Sequence, residues 1–314
     1  MLKVSNLNLG FNTENGFHQA LFNVSFSLEK GKMHALVGES GCGKTMSAMS
    51  ILGLLPKNAK VTGGRIYFKG QNLLKLKETE MQKIRGAEIA LIPQDPMTSL
   101  NPLYTVGDQL LEVIKTHQNI DGKEAYKKAI EAFEMVQIPC AETKMKSYPH
   151  EFSGGMKQRA IIAMALATNA EVLIADEPTT ALDVTIQAQI MNLLQEIKPQ
   201  TSILLITHDL ALVSEYADEI SVMYAGKIVE HTSSEEFFQT PNHPYSNALL
   251  KALPSEHTDK LETIKGQPPT IQQEITGCRF HPRCKHAMRI CKSDVPELKS
   301  IGENHSSACW LNRE

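Results

Sequence analysis

Gly38-Glu39-Ser40-Gly41-Cys42-Gly43-Lys44-Thr45 is the stretch that decides how the rest of the chain is read. It fits the pattern G-x-x-x-x-G-K-[ST], and its surroundings fit too. The apolar run MHALV (residues 33–37) precedes it as a buried-strand candidate, and residues 44–55 carry a helical pattern that Pro56 ends. Glycines permit positive φ and let the backbone wrap a polyphosphate. Successive N–H groups form an anion-binding concavity, and the helix N-terminus adds roughly half a positive charge. Lys44 can reach the β- and γ-phosphates, and the Thr45 hydroxyl can ligate Mg²⁺. Cys42 reads as a small filler between the glycines.

Outward from this loop the pattern is mixed. Residues 3–9 and 20–28 alternate as strands, Gly63, Gly64 and Gly70 punctuate a segment at 65–68, and EIALI (88–92) is a further strand candidate. From about 106 to 136 the period becomes helical: Val106, Leu110, Val113 and Ile114, then Ala129, Ile130, Phe133 and Val136. A second helix is expected after Ser153. Residues 172–175 and 203–207 read as buried parallel strands separated by a helix around 184–197, and residues 221–224 and 227–230 flank a turn at Ala225-Gly226. Mixed β followed by βαβ units with an all-helical insert predicts an α/β fold.

The composition agrees. The 314 residues allow about two domains. Net charge is 32 − 35 = −3, with 42% hydrophobic and 21% charged residues, which excludes a disordered, collagenous or broadly basic nucleic-acid-binding chain. The most apolar stretch, residues 160–175, is broken by Thr168, Asn169 and Glu171, short of the roughly 18–20 apolar residues a membrane span needs. The first 30 residues show no apolar signal-peptide core, so none is expected.

Two further motifs carry chemistry. Val172-Leu173-Ile174-Ala175-Asp176-Glu177 is an apolar strand closed by two carboxylates. In an open α/β sheet the ligand crevice lies at strand carboxyl ends, which suits Asp176 to Mg²⁺ and Glu177 to the attacking water. Ser153-Gly154-Gly155 opens a helix with a good N-cap and accessible N–H groups, a second anion site about 110 residues after the first. A dimer in which this helix faces the partner's nucleotide resolves the duplication.

In this order the motifs resemble the ATP-binding-cassette (ABC) ATPases over about residues 1–250. Residues 38–45 look like Walker A, Gln94 (LIPQDP) like the Q-loop, residues 152–156 like the signature, residues 173–177 like Walker B with the catalytic glutamate, residues 180–183 like the D-loop and His208 (ITHDL) like the switch histidine. The signature departs from the general LSGGQ as FSGGM, with Met156 in place of Gln; the serine and both glycines remain. The strings GESGCGKT, QDPMTSLNP, YPHEFSGGMKQR, ADEPTTALDVTIQAQIM and NHPYSNALLKALP are similar to the oligopeptide and dipeptide permease ATPases, a branch that also holds nickel and metal-chelate importers. A soluble ABC ATPase outside transport is the more distant alternative.

The resemblance implies a P-loop nucleotide-binding domain: mixed β plus a RecA-like parallel core over residues 1–250, with a helical subdomain at about 95–165. A small Cys-rich extension would follow at 251–314. It implies ATP bound by Gly38, Ser40, Gly41, Cys42, Gly43, Lys44 and Thr45, with Phe11 stacked on adenine and Phe17 as the rival. Thr45, Gln94 and Asp176 would support Mg²⁺. Ser153, Gly154 and Gly155 would cap the partner's γ-phosphate, and Asp183 would contact the partner. Glu177, His208 and Gln94 would act in hydrolysis. The implied assembly comprises a second ATPase subunit (a paralogue or an identical copy), two transmembrane permease subunits docked near residues 93–102 and 106–136, and an extracellular solute-binding protein. No nucleic acid is involved, and the chain would sit at the cytoplasmic face of a bacterial membrane.

The C-terminal region stands apart. Pro254, Pro268, Pro269, Pro282 and Pro296 interrupt it, and its last 37 residues hold seven Lys/Arg and four Asp/Glu, a local charge of +3 that reads as a solvated face. Four of the six cysteines, Cys278, Cys284, Cys291 and Cys309, are spaced C-x5-C-x6-C-x17-C. Zinc knuckles are usually tighter. Four thiolates suit a [4Fe–4S] cluster, which some members of the resembled branch carry; zinc and free or paired thiols are the alternatives.

Overall fold

The computed structural model describes residues 1–180, 182–253 and 263–312. The chain forms two compact units, Met1–Lys75 with Ile206–Glu314, and Leu76–Leu205.

The first unit contains a four-stranded antiparallel sheet in the order Gly16–Leu28, Leu2–Thr13, Ala59–Phe68, Gln71–Asn72. Its buried face is Leu2, Val4, Leu7, Leu9, Leu21, Val24, Phe26 and Leu28. Val4 and Leu7 both face inward although they lie three apart, which strict alternation forbids. A bulge absorbs the extra residue, with Asn6 at φ 48° against Gly64 at φ 100°. Met33–Val37, buried at every position, pairs in parallel with Glu219–Tyr224. That strand turns at Ala225 (φ 45°) and Gly226 (φ 82°) into the antiparallel Lys227–Ser233; two positive φ values are the primed hairpin geometry. His305–Ser307 and Lys299–Gly302 from the C-terminal region continue the sheet beyond Lys227–Ser233.

The Lys44–Leu52 helix ends earlier than the sequence pattern suggests. Gly53 adopts φ 63°, and the Leu54 N–H donates to the Met49 carbonyl at 3.0 Å. This closes the helix in a Schellman pattern before Pro56 is reached.

In the second unit Ile89–Ile92 pairs in parallel with Val172–Asp176, Ile89 opposite Val172 and Ile92 opposite Ala175. The helices Val106–His117, Gly122–Met135 and Gly154–Leu166 pack on one another. Each starts at an oxygen-bearing N-cap: Thr105, Asp121 and Ser153. Leu110, Ile114, Ala125, Ala129, Phe133 and Ile162 fill their interface side with less than 1% exposure. Val184–Ile197 spans the stretch expected to be helical, capped by Asp183. Among the described residues no helix is long and apolar enough to cross a membrane.

Candidate functional site

The phosphate loop lies in the first unit, where Met33–Val37 delivers the chain to it. Gly38, Gly41 and Gly43 adopt φ 150°, 78° and 108°. A Cβ on Gly38 would lie 2.1 Å from the Met223 carbonyl oxygen and one on Gly43 2.5 Å from Leu21, whereas one on Gly41 would meet open space. Gly38 is therefore required by its approach to backbone as well as its φ, whereas Gly43 closely meets only side-chain ends and Gly41 open space, so their positive φ is the main constraint.

Lys44 is 6% exposed, and its Nζ donates to the Gly38 carbonyl at 2.7 Å and the Glu39 carbonyl at 3.2 Å. Cys42 is buried, with its Sγ 3.9 Å from Nζ, and burial pushes its thiol pKa up, so it stays a neutral filler. Among the described helices of eight residues or more, Lys44–Leu52 is the one whose N-cap makes no side-chain hydrogen bond; Thr105, Asp121, Ser153, Asp183 and His243 close the others. An uncapped helix N-terminus, three positive-φ glycines and a buried lysine folded onto the loop's own carbonyls fit a magnesium-bound polyphosphate.

Two other expected residues belong to the same unit. His208 is exposed directly after the strand Ser202–Thr207, while the next residue, Asp209, caps Leu210–Tyr216 through the Ala211 N–H at 2.9 Å. Phe11 is half-buried, paired with His18 across the hairpin. Phe17 is 46% exposed and lies across Gly10, where a Cβ would come within 2.2 Å of its ring.

The second unit carries the carboxylates. Asp176 ends its strand 1% exposed. Glu177 follows at φ 49°, a left-handed conformation that turns the chain sharply off the strand and is rare for a residue with a Cβ. Its carboxylate accepts from Gln94 Nε2 at 3.0 Å and from the Thr180 hydroxyl at 3.2 Å. Buried Gln158 donates to the Pro178 carbonyl at 2.7 Å and pins the turn. The structure thus brings Gln94 and Glu177 together, and adds Thr180 and Gln158 as supports that sequence reasoning passed over. Thr180 stood within the D-loop string, three residues from Glu177, and that short spacing is the signal that could have found it.

Ser153 accepts from the Met156 N–H at 3.3 Å; Gly154 is exposed with open space where a Cβ would stand, and Gly155 lies near Leu182. Asp183 is exposed and accepts from the Ile186 N–H at 3.0 Å. Ala181 of the D-loop string and Pro254 of the NHPYSNALLKALP string lie outside the described residues.

The expectation of a [4Fe–4S] or zinc centre is corrected. Cys278, Cys284, Cys291 and Cys309 are free, and among the described residues no group of three or more His, Cys, Asp or Glu side chains is disposed to hold a metal ion. Burial pushes the Cys278 thiol up to about 11 and raises those of Cys284 and Cys309. Cys278 and Cys284 instead pack with Phe280 against Tyr224 and Tyr245, and the Cys278 N–H donates to the Cys291 carbonyl at 2.8 Å.

Comparison with known proteins accords with this geometry. The ABC transporter family profile matches residues 21–180, which include the phosphate loop, Gln94, Ser153, Asp176 and Glu177. The profile of the oligopeptide/dipeptide transporter C-terminal region matches residues 229–291. The chain is 48% identical over 316 residues to the dipeptide transport ATP-binding protein DppD of Bacillus subtilis (strain 168), covering 99% of this chain and 94% of the relative. It is 46% identical over 314 residues to the oligopeptide transport ATP-binding protein OppD of Escherichia coli (strain K12), covering 99% and 93%. Among solved structures, the dimeric ATP-binding cassette MJ0796, in a post-hydrolysis state bound to ADP and Pi, matches with a TM-score of 0.68 at 28% identity, covering 74% of this chain and 99% of that one. Phosphate loop, strand-end carboxylates and both profile matches converge: the chain belongs to the ABC transporter ATP-binding family, in the branch that carries the oligopeptide/dipeptide transporter C-terminal region.

Proposed function

We propose that the chain is the ATP-hydrolysing subunit that powers import of oligopeptides or dipeptides by a multisubunit ABC transporter. The observation that carries this reading is the joint presence of the uncapped phosphate loop around Lys44 and the peptide-transporter C-terminal region in one chain. In this reading residues 1–250 form the nucleotide-binding domain, with a helical subdomain at about 95–165, and residues 251–314 the extension.

ATP is the substrate. Lys44 leaves the loop carbonyls to hold the β- and γ-phosphates, and the N–H groups of residues 41–45 receive phosphate oxygens. Phe11 offers its ring to adenine. Thr45, Asp176 and Gln94 would hold Mg²⁺, which supplies positive charge to the phosphates. Glu177 orients and deprotonates the attacking water, Gln94 holds that carboxylate, and His208 faces the γ-phosphate. Ser153, Gly154 and Gly155 present N–H groups to the nucleotide of a second ATPase subunit, with Asp183 at that contact. Charge neutralisation and positioning supply most of the rate.

The remaining assembly in this reading is two transmembrane permease subunits and a solute-binding protein, with the chain peripheral at the cytoplasmic face of the membrane. Exposed Met97, Leu103 and Tyr104, at 59%, 79% and 57%, offer apolar surface beside Gln94 in the sequence for a permease segment.

The test reconstitutes the chain with its permease subunits and binding protein in vesicles and follows labelled di- to pentapeptides. ATP-dependent peptide uptake, lost with Lys44→Ala, supports the reading. Uptake of nickel or a metal chelate without peptide overturns the cargo. Full ATP hydrolysis by Lys44→Ala overturns the site.

A further inference from the structure

Glu39, the second residue of the phosphate loop, is held at three points within the first unit, two of them from outside the loop. Its N–H donates to the Tyr245 hydroxyl at 3.0 Å, its carbonyl accepts from Lys44 Nζ at 3.2 Å, and its carboxylate takes both ends of the Arg283 guanidinium, Nη1 at 2.5 Å and Nη2 at 3.0 Å. Arg283 belongs to the C-terminal region, 244 positions away, and its side chain is 5% exposed. Its other donor contacts are also inside the fold: Nε to the Lys265 carbonyl at 3.1 Å, Nη1 to the Tyr224 hydroxyl at 3.4 Å and Nη2 to the Ile264 carbonyl at 3.5 Å. The five N–H donors of the planar fork are thus used together, which no lysine could reproduce. Beside this pair, residues 268–271 and 39–42 line a cavity of about 330 Å³, so the C-terminal region also walls the outer side of the loop.

We infer that Arg283 is a positioning residue for nucleotide binding: through Glu39 it fixes the phosphate loop, and with it the carbonyl on which Lys44 rests. The loop itself is poorly suited to hold its own shape, because its glycines carry no side chains to pack and each loses much conformational freedom on ordering. A buried, bidentate, charge-assisted contact on Glu39 supplies that order from outside the loop. Rigidity set by the C-terminal region lowers the ordering cost when ATP binds. The C-terminal region is in this view a part of the ATP site and not an appendage to it. The inference rests on the reading of residues 38–45 as the nucleotide site.

The test uses the full chain and titrates magnesium-ATP against Glu39→Gln, Arg283→Lys, the double variant, and the exchanged pair Glu39→Arg/Arg283→Glu. Lys44→Ala is the control. Melting temperature without nucleotide is measured for each. Glu39→Gln keeps the side-chain shape at a position one-quarter exposed, so it keeps the test open if an Arg283 variant folds poorly. The expected result is about a tenfold weaker dissociation constant for each single variant, no further loss in the double, and an affinity loss larger than the accompanying fall in melting temperature without nucleotide accounts for. Recovery of affinity in the exchanged pair adds support. Unchanged affinity in Glu39→Gln overturns the inference, as do additive losses in the double or an affinity loss matched by a proportionate loss of melting temperature. If Lys44→Ala binds as tightly as the unaltered chain, the loop reading itself fails. If Lys44→Ala loses binding while Glu39→Gln keeps it, only the role of Arg283 fails.

Discussion

The side-chain amide of Gln94 donates to the Glu177 carboxylate at 3.0 Å across 83 positions of sequence. Gln94 follows the strand Ile89–Ile92 and Glu177 follows Val172–Asp176, and these two strands run parallel in register. The left-handed turn at Glu177 places its carboxylate where it receives both Gln94 and the Thr180 hydroxyl. Two neutral side-chain donors thus orient the carboxylate.

Glu177→Gln should retain ATP binding and lose roughly 10²–10⁴-fold in turnover, the range for removing a positioned general base. Single-turnover hydrolysis and ATP titration on the same preparation check this. A variant that turns over at the unaltered rate removes Glu177 from the base role.

Gln94→Glu would place a second carboxylate about 3 Å from the first. A like charge disfavours ionisation, so the Glu177 carboxyl would keep its proton to higher pH. Because the base must be ionised, the acidic limb of the pH–rate profile should move to higher pH, with partial recovery of the rate above neutrality. An unshifted limb with a uniformly lower rate would show that Gln94 does not act through Glu177.

The phosphate loop was legible because its chemistry is local: glycines, lysine and threonine stand within eight residues, flanked by an apolar run and a helical pattern. The helix Val184–Ile197 was legible for the same reason. The contact of Gln94 with Glu177 depends on the register of two strands and one strained φ, which no local spacing encodes. The tie from Arg283 to Glu39 is more remote still. The cysteines failed in the opposite way: their spacing suggested ligation, but among the described residues no group of three or more His, Cys, Asp or Glu side chains is disposed to hold a metal ion, and Cys278 and Cys284 pack against the cluster of Phe280, Tyr224 and Tyr245 instead. Spacing reports which residues are near in sequence, not how their side chains are disposed in space.

Gly38→Ala and Gly41→Ala separate packing from conformation. The first drives a Cβ to 2.1 Å from the Met223 carbonyl oxygen at φ 150° and should cost about 3 kcal/mol or more of stability. The second meets open space at φ 78° and should cost about 1 kcal/mol. Denaturant midpoints of the full chain decide. Equal losses would mean that the loop relaxes away from Met223.

Stability should fall on the acid side, and the sign follows from a buried histidine, His243, and a half-buried one, His231. Burial holds His243 down at about 3, with its Nδ1 accepting the Tyr245 N–H at 3.0 Å. Burial, then the neighbouring His34, hold His231 down at about 4; its ring stacks on His34 at 5.5 Å and shares the Ser221 hydroxyl. Both values lie below the ordinary 6.5, so between them and 6.5 the unfolded chain binds more protons than the folded one. The stabilisation is present in full above about pH 6.5 and is lost as pH falls toward 4 and then 3. Glu219, held down at about 2 mainly by its hydrogen bond from His34, extends the loss in the same direction below pH 4.5. His243→Asn keeps an N-cap acceptor for the helix Pro244–Lys251 but cannot titrate. Its melting temperature should decline less than that of the unaltered chain between pH 7.5 and 5. Parallel declines in the two proteins would show that His243 is protonated as readily in the folded chain as in the unfolded one.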